Sequence, residues 1–463
     1  MEHLLKVKPY SHQRDAYNAA KGRSAFAFLA EQGTGKTIMA IATLGDLYAD
    51  GQIHRAIVVC PKSVLSVWER EFAKHAAFPV SVCTLDRGAS RSVKNLYEFS
   101  ELPFDGLKVA VVNYDSVWRM DAAWEKFPPD AIICDESQRI KNPFTRQSKY
   151  LHALARRARY RYILTGTPVT QGPLDFWSQY RFLAPNILPF SYYAFRNRYA
   201  VMGGWENKQV VGYRNLGELT QRVHSIAYRV TKADALDLPP QVFQERYCEM
   251  PPYAKGIYKR LAREDMALIE GGQISASNVL TRLLRYSQLT GGHVTTDEGD
   301  TKRVHDAKLD TLFEVIDETA GKLVVFCRFI PEIRAILERL DKEGIPREAI
   351  WGEVTSRERA EAIERFQTDP ERKVFVAQLQ AAGLGITLTA ASTAVFYSLN
   401  YSYADYEQCC ARIHRIGQDQ KCTYIHLIAE GTIDEDVLDI LKRKGSMANL
   451  VVDEWKKLLK RGV

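Results

Sequence analysis

The stretch Ala25–Thr37, A-F-A-F-L-A-E-Q-G-T-G-K-T, decides the fold. Its first six residues, Ala25–Ala30, form an apolar run of strand length, and Ile38–Tyr48 continues as a helix. Between them Gln32, Gly33, Thr34, Gly35, Lys36 and Thr37 form a glycine-rich turn. Glycines let backbone N–H groups approach phosphate oxygens, and the following helix N-terminus adds positive potential. Lys36 is then placed to reach the β- and γ-phosphates, and the Thr37 hydroxyl to ligate Mg²⁺. The strict P-loop pattern has Gly where this chain has Ala30. Strand, turn and helix in that order predict a nucleotide-binding α/β unit.

Outward from this unit the rhythm repeats. Further strands are predicted at Ala56–Cys60, Val80–Leu85, Val109–Asn113, Ala131–Cys134 and Tyr162–Thr165. A second series runs Leu323–Phe326, Val374–Ala377, Ala394–Tyr397 and Thr423–Ile428. Short β-branched runs alternating with helical stretches are the pattern of parallel sheets covered on both faces. Residues 185–303 read as helical and aromatic-rich, broken by Leu238-Pro239-Pro240 and Gly291-Gly292. Two α/β domains result, with helical insertions and a boundary near 230–240.

The 463 residues suffice for two to four domains. With 46% hydrophobic and 26% charged residues the chain can bury sizeable cores, which excludes disorder as its main state. The apolar runs fall far short of the roughly 18 residues that a membrane helix needs. The first residues carry no secretory h-region, so a soluble cytoplasmic protein is expected. Eight cysteines without a C-x-x-C pair read as reduced thiols. Cys410 and His414 lie one helical turn apart, but no second ligand pair stands nearby to make a zinc site.

The net charge of +7 fits nucleic-acid binding, and its distribution says more. Between Ser137 and Leu174 there are eight Lys and Arg residues and no Asp or Glu. From Lys442 to Val463 there are seven basic and two acidic residues. Solvated helix faces would account for either stretch equally well.

Three more motifs carry chemistry. Ile132-Ile133-Cys134-Asp135-Glu136-Ser137-Gln138 ends an apolar strand in adjacent carboxylates. Asp135 suits Mg²⁺, and Glu136 suits orienting and deprotonating an attacking water. Leu164-Thr165-Gly166-Thr167-Pro168 ends another strand in a tight turn. In Gln408–Gln418 two arginines, Arg412 and Arg415, are spaced three apart. Three apart, they share one helix face and can point together at a γ-phosphate across an interface; salt bridging on a helix surface is the alternative.

Together these residues resemble the superfamily 2 helicases. Gln13, A-E-Q-G-T-G-K-T, D-E-S-Q, L-T-G-T-P, A-A-G-L-G-I-T-L (Ala381–Leu388) and Q-x-x-x-R-x-H-R-I-G-Q follow one another in the superfamily's order. The R-I-H-R-I-G-Q ending resembles the Swi/Snf-type ATPases, and small bacterial or phage members most. Cys60-Pro61-Lys62-Ser63 with Trp68, Phe176-Trp177, the segment from Arg229 to Asp234 with Leu238-Pro239, and Thr432–Glu435 are similar to further parts of that family. The chain departs from it at Gln138, where many members have His, at Ala411 for Gly, and at Tyr401-Ser402-Tyr403 for W-N-P.

The resemblance implies two RecA-like lobes, residues 1–232 and 233–463. It places insertions near 185–230 and 251–295 and a brace helix at the C-terminal end. It implies ATP and Mg²⁺ as ligands. Lys36, Asp135, Glu136, Gln138, Arg412 and Arg415 would form the catalytic set; Gln32, Gly33, Thr34, Gly35, Lys36 and Thr37 would cradle the nucleotide, with Thr37 and Asp135 on the metal. Gln13 would read the adenine edge and Gly385 would lie near the ribose and phosphates. Lys62, Ser63, Thr165, Arg328 and Thr389, at strand ends, would touch DNA. The expected activity is a DNA-dependent ATPase that moves along double-stranded DNA as a monomer, with a protein partner for targeting and no membrane contact. Two alternatives stay open: a helicase that separates strands at forks or RNA–DNA hybrids, and a DNA-binding scaffold with a dead ATPase.

Overall fold

The computed structural model describes the chain apart from residues 87, 205, 207, 208, 236, 271–275, 296–299, 383–385 and 453–463. Two compact units divide it. The first comprises Met1–Asp237 together with the chain from Lys444 onward; the second is Leu238–Arg443. The sequence reading placed everything after residue 232 in one domain. Part of the last helix, Ile433–Val452, belongs instead with the first unit, because Met447, Ala448 and Val452 pack into that unit's core.

In the first unit β1 (Ala25–Ala30), β2 (Arg55–Cys60), β3 (Val80–Leu85), β4 (Leu107–Asn113), β5 (Ala131–Asp135) and β6 (Tyr160–Leu164) join a later strand, β9 (Ala227–Val230). The spatial order is β3-β4-β2-β5-β6-β1-β9, and every pairing is parallel. Alternate residues feed two cores. Ala27, Leu29, Ile57 and Val59 face one layer of helices, while Phe26, Phe28, Ala56 and Val58 face the other. Burial on both faces is why these strands read as continuous apolar runs. A hairpin of β7 (Ala200–Gly203) and β8 (Gln209–Tyr213) stands apart from this sheet.

The second unit holds β10 (Gln241–Cys248), the hairpin β11 (His293–Thr295) and β12 (Thr301–Arg303), then β13 (Leu323–Cys327), β14 (Arg347–Ile350), β15 (Val374–Gln378), β16 (Thr393–Phe396) and β17 (Cys422–Ala429). Its main sheet runs β10-β17-β16-β13-β15-β14, again all parallel. Each unit is thus a RecA-like α/β lobe. All ten strands read from the sequence are present.

Sequence reading missed the strands β9, β10 and β14, which lie at sheet edges. An edge strand meets solvent along one side and keeps polar residues, so Gln241–Cys248 and Arg347–Ile350 carry no apolar run. Residues 185–303 are also less uniformly helical than read, since the two hairpins, β9 and β10 fall within them.

Candidate functional site

Because β5, β6 and β1 are neighbours in a parallel sheet, their carboxyl ends bring three loops together. These are the D-E end of β5, the T-G-T-P turn after β6 and the glycine-rich loop after β1. The loop turns through left-handed backbone at Gly33 (φ 88°) and Gly35 (φ 85°) and enters the helix Lys36–Ala49. The left-handed φ at Gly35 favours glycine, and a Cβ there would also lie 2.2 Å from the Gln13 amide nitrogen and push that side chain aside. Gly166 is crowded by the backbone at Ala30, Glu31 and Gln32, which presses the T-G-T-P turn against the loop.

Within this pocket of loops Lys36 Nζ donates to Ala30 O at 3.0 Å and lies 4.0 Å from Glu136 Oε1. Thr34 is buried and donates its hydroxyl to Glu31 O. Among the described residues Gln32 Oε1 is buried without a hydrogen-bond partner. Thr37 follows Lys36 in the first turn of the helix. Gln13 accepts from Tyr10 N–H and donates to Thr34 O, which leaves its amide one N–H and one lone pair.

Asp135 and Glu136 close the other side. Burial, and then the neighbouring Glu136 carboxylate, push the Asp135 carboxyl up to about 7, against the pull of Lys36 and of the Trp68 indole. That indole donates to Asp135 Oδ2 at 3.0 Å, and Tyr114 O–H donates to the Asp135 carbonyl at 2.7 Å. Trp68, quoted above only for its likeness to the family, is buried and orients the carboxylate. The signal was present: Leu65, Trp68, Phe72 and His75 fall on one inward helix face. Glu136 has φ 54°, a left-handed backbone uncommon for a non-glycine residue.

Gln138 ties the second motif to the third. Its Nε2 donates to Glu136 Oε2 at 2.7 Å, and its Oε1 accepts from the Thr165 hydroxyl at 2.7 Å. Thr165 is therefore no DNA contact: it is fully buried and its hydroxyl is committed to Gln138. Ser137 in turn donates to Gln179, on the helix Phe176–Leu183. Glu31, which sequence reading passed over, is held by Arg229 at 2.9 Å and by Lys232 N–H, so β9 braces the loop.

Of the other DNA candidates in this unit, Lys62 is exposed and Ser63 partly so, just beyond β2. In the second unit Arg328 follows β13, half-buried, with its N–H on Ser398 Oγ and its guanidinium 3.4 Å from Ser287 Oγ. Thr389 is not at a carboxyl strand end. It sits in a turn before β16 begins, with its hydroxyl accepting from Gln367, because the chain must first return across the sheet.

The two arginines do not share a helix face either. Their helix, Tyr403–Ile413, ends before Arg415, and Gly417 (φ 94°) turns the chain. They still converge: each donates to Ile386 O, Arg412 at 3.4 Å and Arg415 at 3.3 Å. Gly385, the residue before that carbonyl, lies outside the described residues.

A description of the SNF2-related domain matches residues 23–291, and one of the helicase conserved C-terminal domain matches residues 307–417. The first match spans more than half of the chain, which belongs to the SNF2-related family, the SNF2-type ATPases of helicase superfamily 2. Among its relatives are the mouse DNA annealing helicase and endonuclease ZRANB3, 27% identical over 98% of this chain and 42% of that protein, and an uncharacterized ATP-dependent helicase of Mycoplasma pneumoniae, 28% identical over 92% of this chain and 40% of that protein. The solved SWI2/SNF2 ATPase core of Sulfolobus solfataricus in complex with double-stranded DNA aligns over 98% of this chain and 95% of that one, at 25% identity and a TM-score of 0.45. The chain spans 42% or less of the length of the curated relatives it matches. Among the described residues no helix is long and apolar enough to cross a membrane.

Proposed function

We propose that the chain is an ATP-dependent translocase on double-stranded DNA. The observation that carries the reading is the line Lys36–Glu136–Gln138–Thr165, which joins a phosphate-binding loop to a water-activating carboxylate and on to the T-G-T-P turn. The residues present fit Mg-ATP. Lys36, whose partners among the described residues are a carbonyl and a distant carboxylate, can turn to phosphate oxygens. Asp135, driven toward neutrality by burial beside Glu136, regains its charge beside a divalent cation. Thr37 and Asp135 would hold Mg²⁺, which when bound would neutralise developing phosphate charge. Glu136 then takes the proton of the attacking water, and Gln138 holds Glu136 in place.

Arg412 and Arg415 supply positive charge to the transition state, a role worth on the order of 10³–10⁵ in comparable phosphoryl transfers. Lys62, Ser63 and Arg328 supply backbone contacts to DNA, sequence-tolerant and salt-sensitive. The relatives' printed names, chromatin remodelling and annealing helicase among them, support work on DNA.

One observation favours the strand-separating alternative. The β7–β8 hairpin projects Val201, Val210 and Val211 into solvent, and such a feature can act as a wedge. A paired assay decides. Displacement of a triplex-forming third strand without fork unwinding, under the same salt and ATP, is the expected outcome. Fork unwinding without triplex displacement, with ATPase stimulated by single strands only, would transfer the proposal to the helicase.

A further inference from the structure

The first unit carries a surface that neither the ATP site nor the backbone contacts use. Phe144, Phe190 and Tyr193 are exposed by 53%, 74% and 57% of their areas. They are not scattered. Phe144 packs edge-on against Tyr192 at 5.4 Å and near Tyr193 at 6.4 Å; Tyr192 meets Trp177, whose indole donates to Pro189 O beside Phe190. Phe144, Tyr192 and Tyr193 form a contiguous group, with Phe190 next to the Pro189 that Trp177 binds, and exposed rings grouped in this way mark an interaction face.

The charges at this face are of one sign. The Arg181 guanidinium lies 4.1 Å from the Phe190 ring centre, and that of Arg196 lies 5.2 Å from the Tyr193 ring. Among the described residues neither arginine pairs with a carboxylate; Arg181 Nη1 and Arg196 Nε are buried without hydrogen-bond partners. The nearby carboxylates are engaged elsewhere. Asp175 accepts from the N–H groups of Thr170 and Gln171, and Glu218 pairs with Arg198 and Arg222. Phe144 itself lies in the stretch from Ser137 to Leu174 that has no acidic residue.

Flat rings open to solvent with uncompensated guanidinium groups against them match one chemistry: unpaired bases that stack and phosphates that pair with arginine. A duplex, whose bases are stacked on one another, would leave the rings unused. We propose that this face binds single-stranded nucleic acid, as a site separate from the duplex track.

The test reads binding in the absence of ATP and does not depend on the translocase reading. Fluorescence anisotropy of the full chain is followed with a labelled mixed-sequence single-stranded DNA and with a blunt duplex of equal length. Phe190→Ala/Tyr193→Ala should weaken single-strand binding by about tenfold or more while duplex affinity stays within about twofold. Phe190→Trp/Tyr193→Trp should restore it, since a larger ring stacks as well, which also guards against loss of folding. Arg181→Gln/Arg196→Gln should reduce the salt dependence of single-strand binding. Unchanged single-strand affinity, or an equal loss for both probes, would overturn the proposal. So would a change confined to self-association in the ultracentrifuge, which would make the face a protein contact.

Discussion

Lys36 and Glu136 stand 4.0 Å apart, yet their removal should fail in different ways. Lys36→Ala takes a charge from the phosphates, so nucleotide binding and turnover should both fall. Glu136→Gln leaves Asp135, the loop and Lys36 in place, so nucleotide should still bind while turnover falls by at least about 10². Binding of a fluorescent ATP analogue, measured beside phosphate release, separates the two; near-native turnover by Glu136→Gln would remove Glu136 from the chemistry. At this scale the sequence was most legible where chemistry dictates residue type: a lysine after glycines, paired carboxylates after a strand. It was least legible for residues that act through others. That Trp68 would hold Asp135, or Arg229 hold Glu31, depends on which side chains the sheet order makes neighbours.

Elements carry the next level. Gln138 and Thr165 end up bonded because β5 and β6 are adjacent, and their loops leave the same edge. Thr165→Val removes the hydroxyl at nearly constant volume and leaves the Gln138 amide oxygen without its buried donor. The expected cost is about 1–3 kcal/mol of local stability, seen as a lowered kcat with nucleotide affinity held. A Thr165→Val protein with native kcat would mean that the second and third motifs work independently. Helix ends show the limit of spacing arguments. Arg412 and Arg415 were read as one face, but the helix stops at Ile413, and a shared carbonyl, not helical periodicity, brings them together. Edge strands show it again: β9, β10 and β14 are strands by pairing, not by pattern.

For the whole molecule, buried ionisable groups of opposite kind should leave opposite pH signatures. His426 is buried and held down to about 4, chiefly by desolvation, whereas an unfolded imidazole titrates near ~6.5. The unfolded chain then binds protons first, so this stabilisation is complete above ~6.5 and is lost as pH falls toward 4. Glu332 is the reverse: burial raises its carboxyl to about 7, so its cost is absent near pH 4 and complete above 7. Relative to the parent chain, His426→Gln should therefore gain stability as pH falls from 7 to 5. Glu332→Gln should gain it as pH rises from 5 to 8, by on the order of 1–3 kcal/mol. Urea unfolding at three pH values measures both, and parallel pH profiles for parent and variants would show that these groups are not buried in the folded chain.

What the sequence determined by itself was the parallel α/β class, ten strands of which all but β3 are interior, and the residues that are candidates for an ATP site. Burial on both faces writes an apolar run, and phosphate chemistry permits few residue types at a loop, so both are recorded locally. What only the tertiary structure decided was adjacency. The strand order that sets β5 beside β6 and β1, the burial that turns Thr165 and Trp68 inward, and the return of the chain after Lys444 to the first unit all follow from long-range packing. No local spacing encodes such contacts, because their free energy comes from residues tens to hundreds of positions apart.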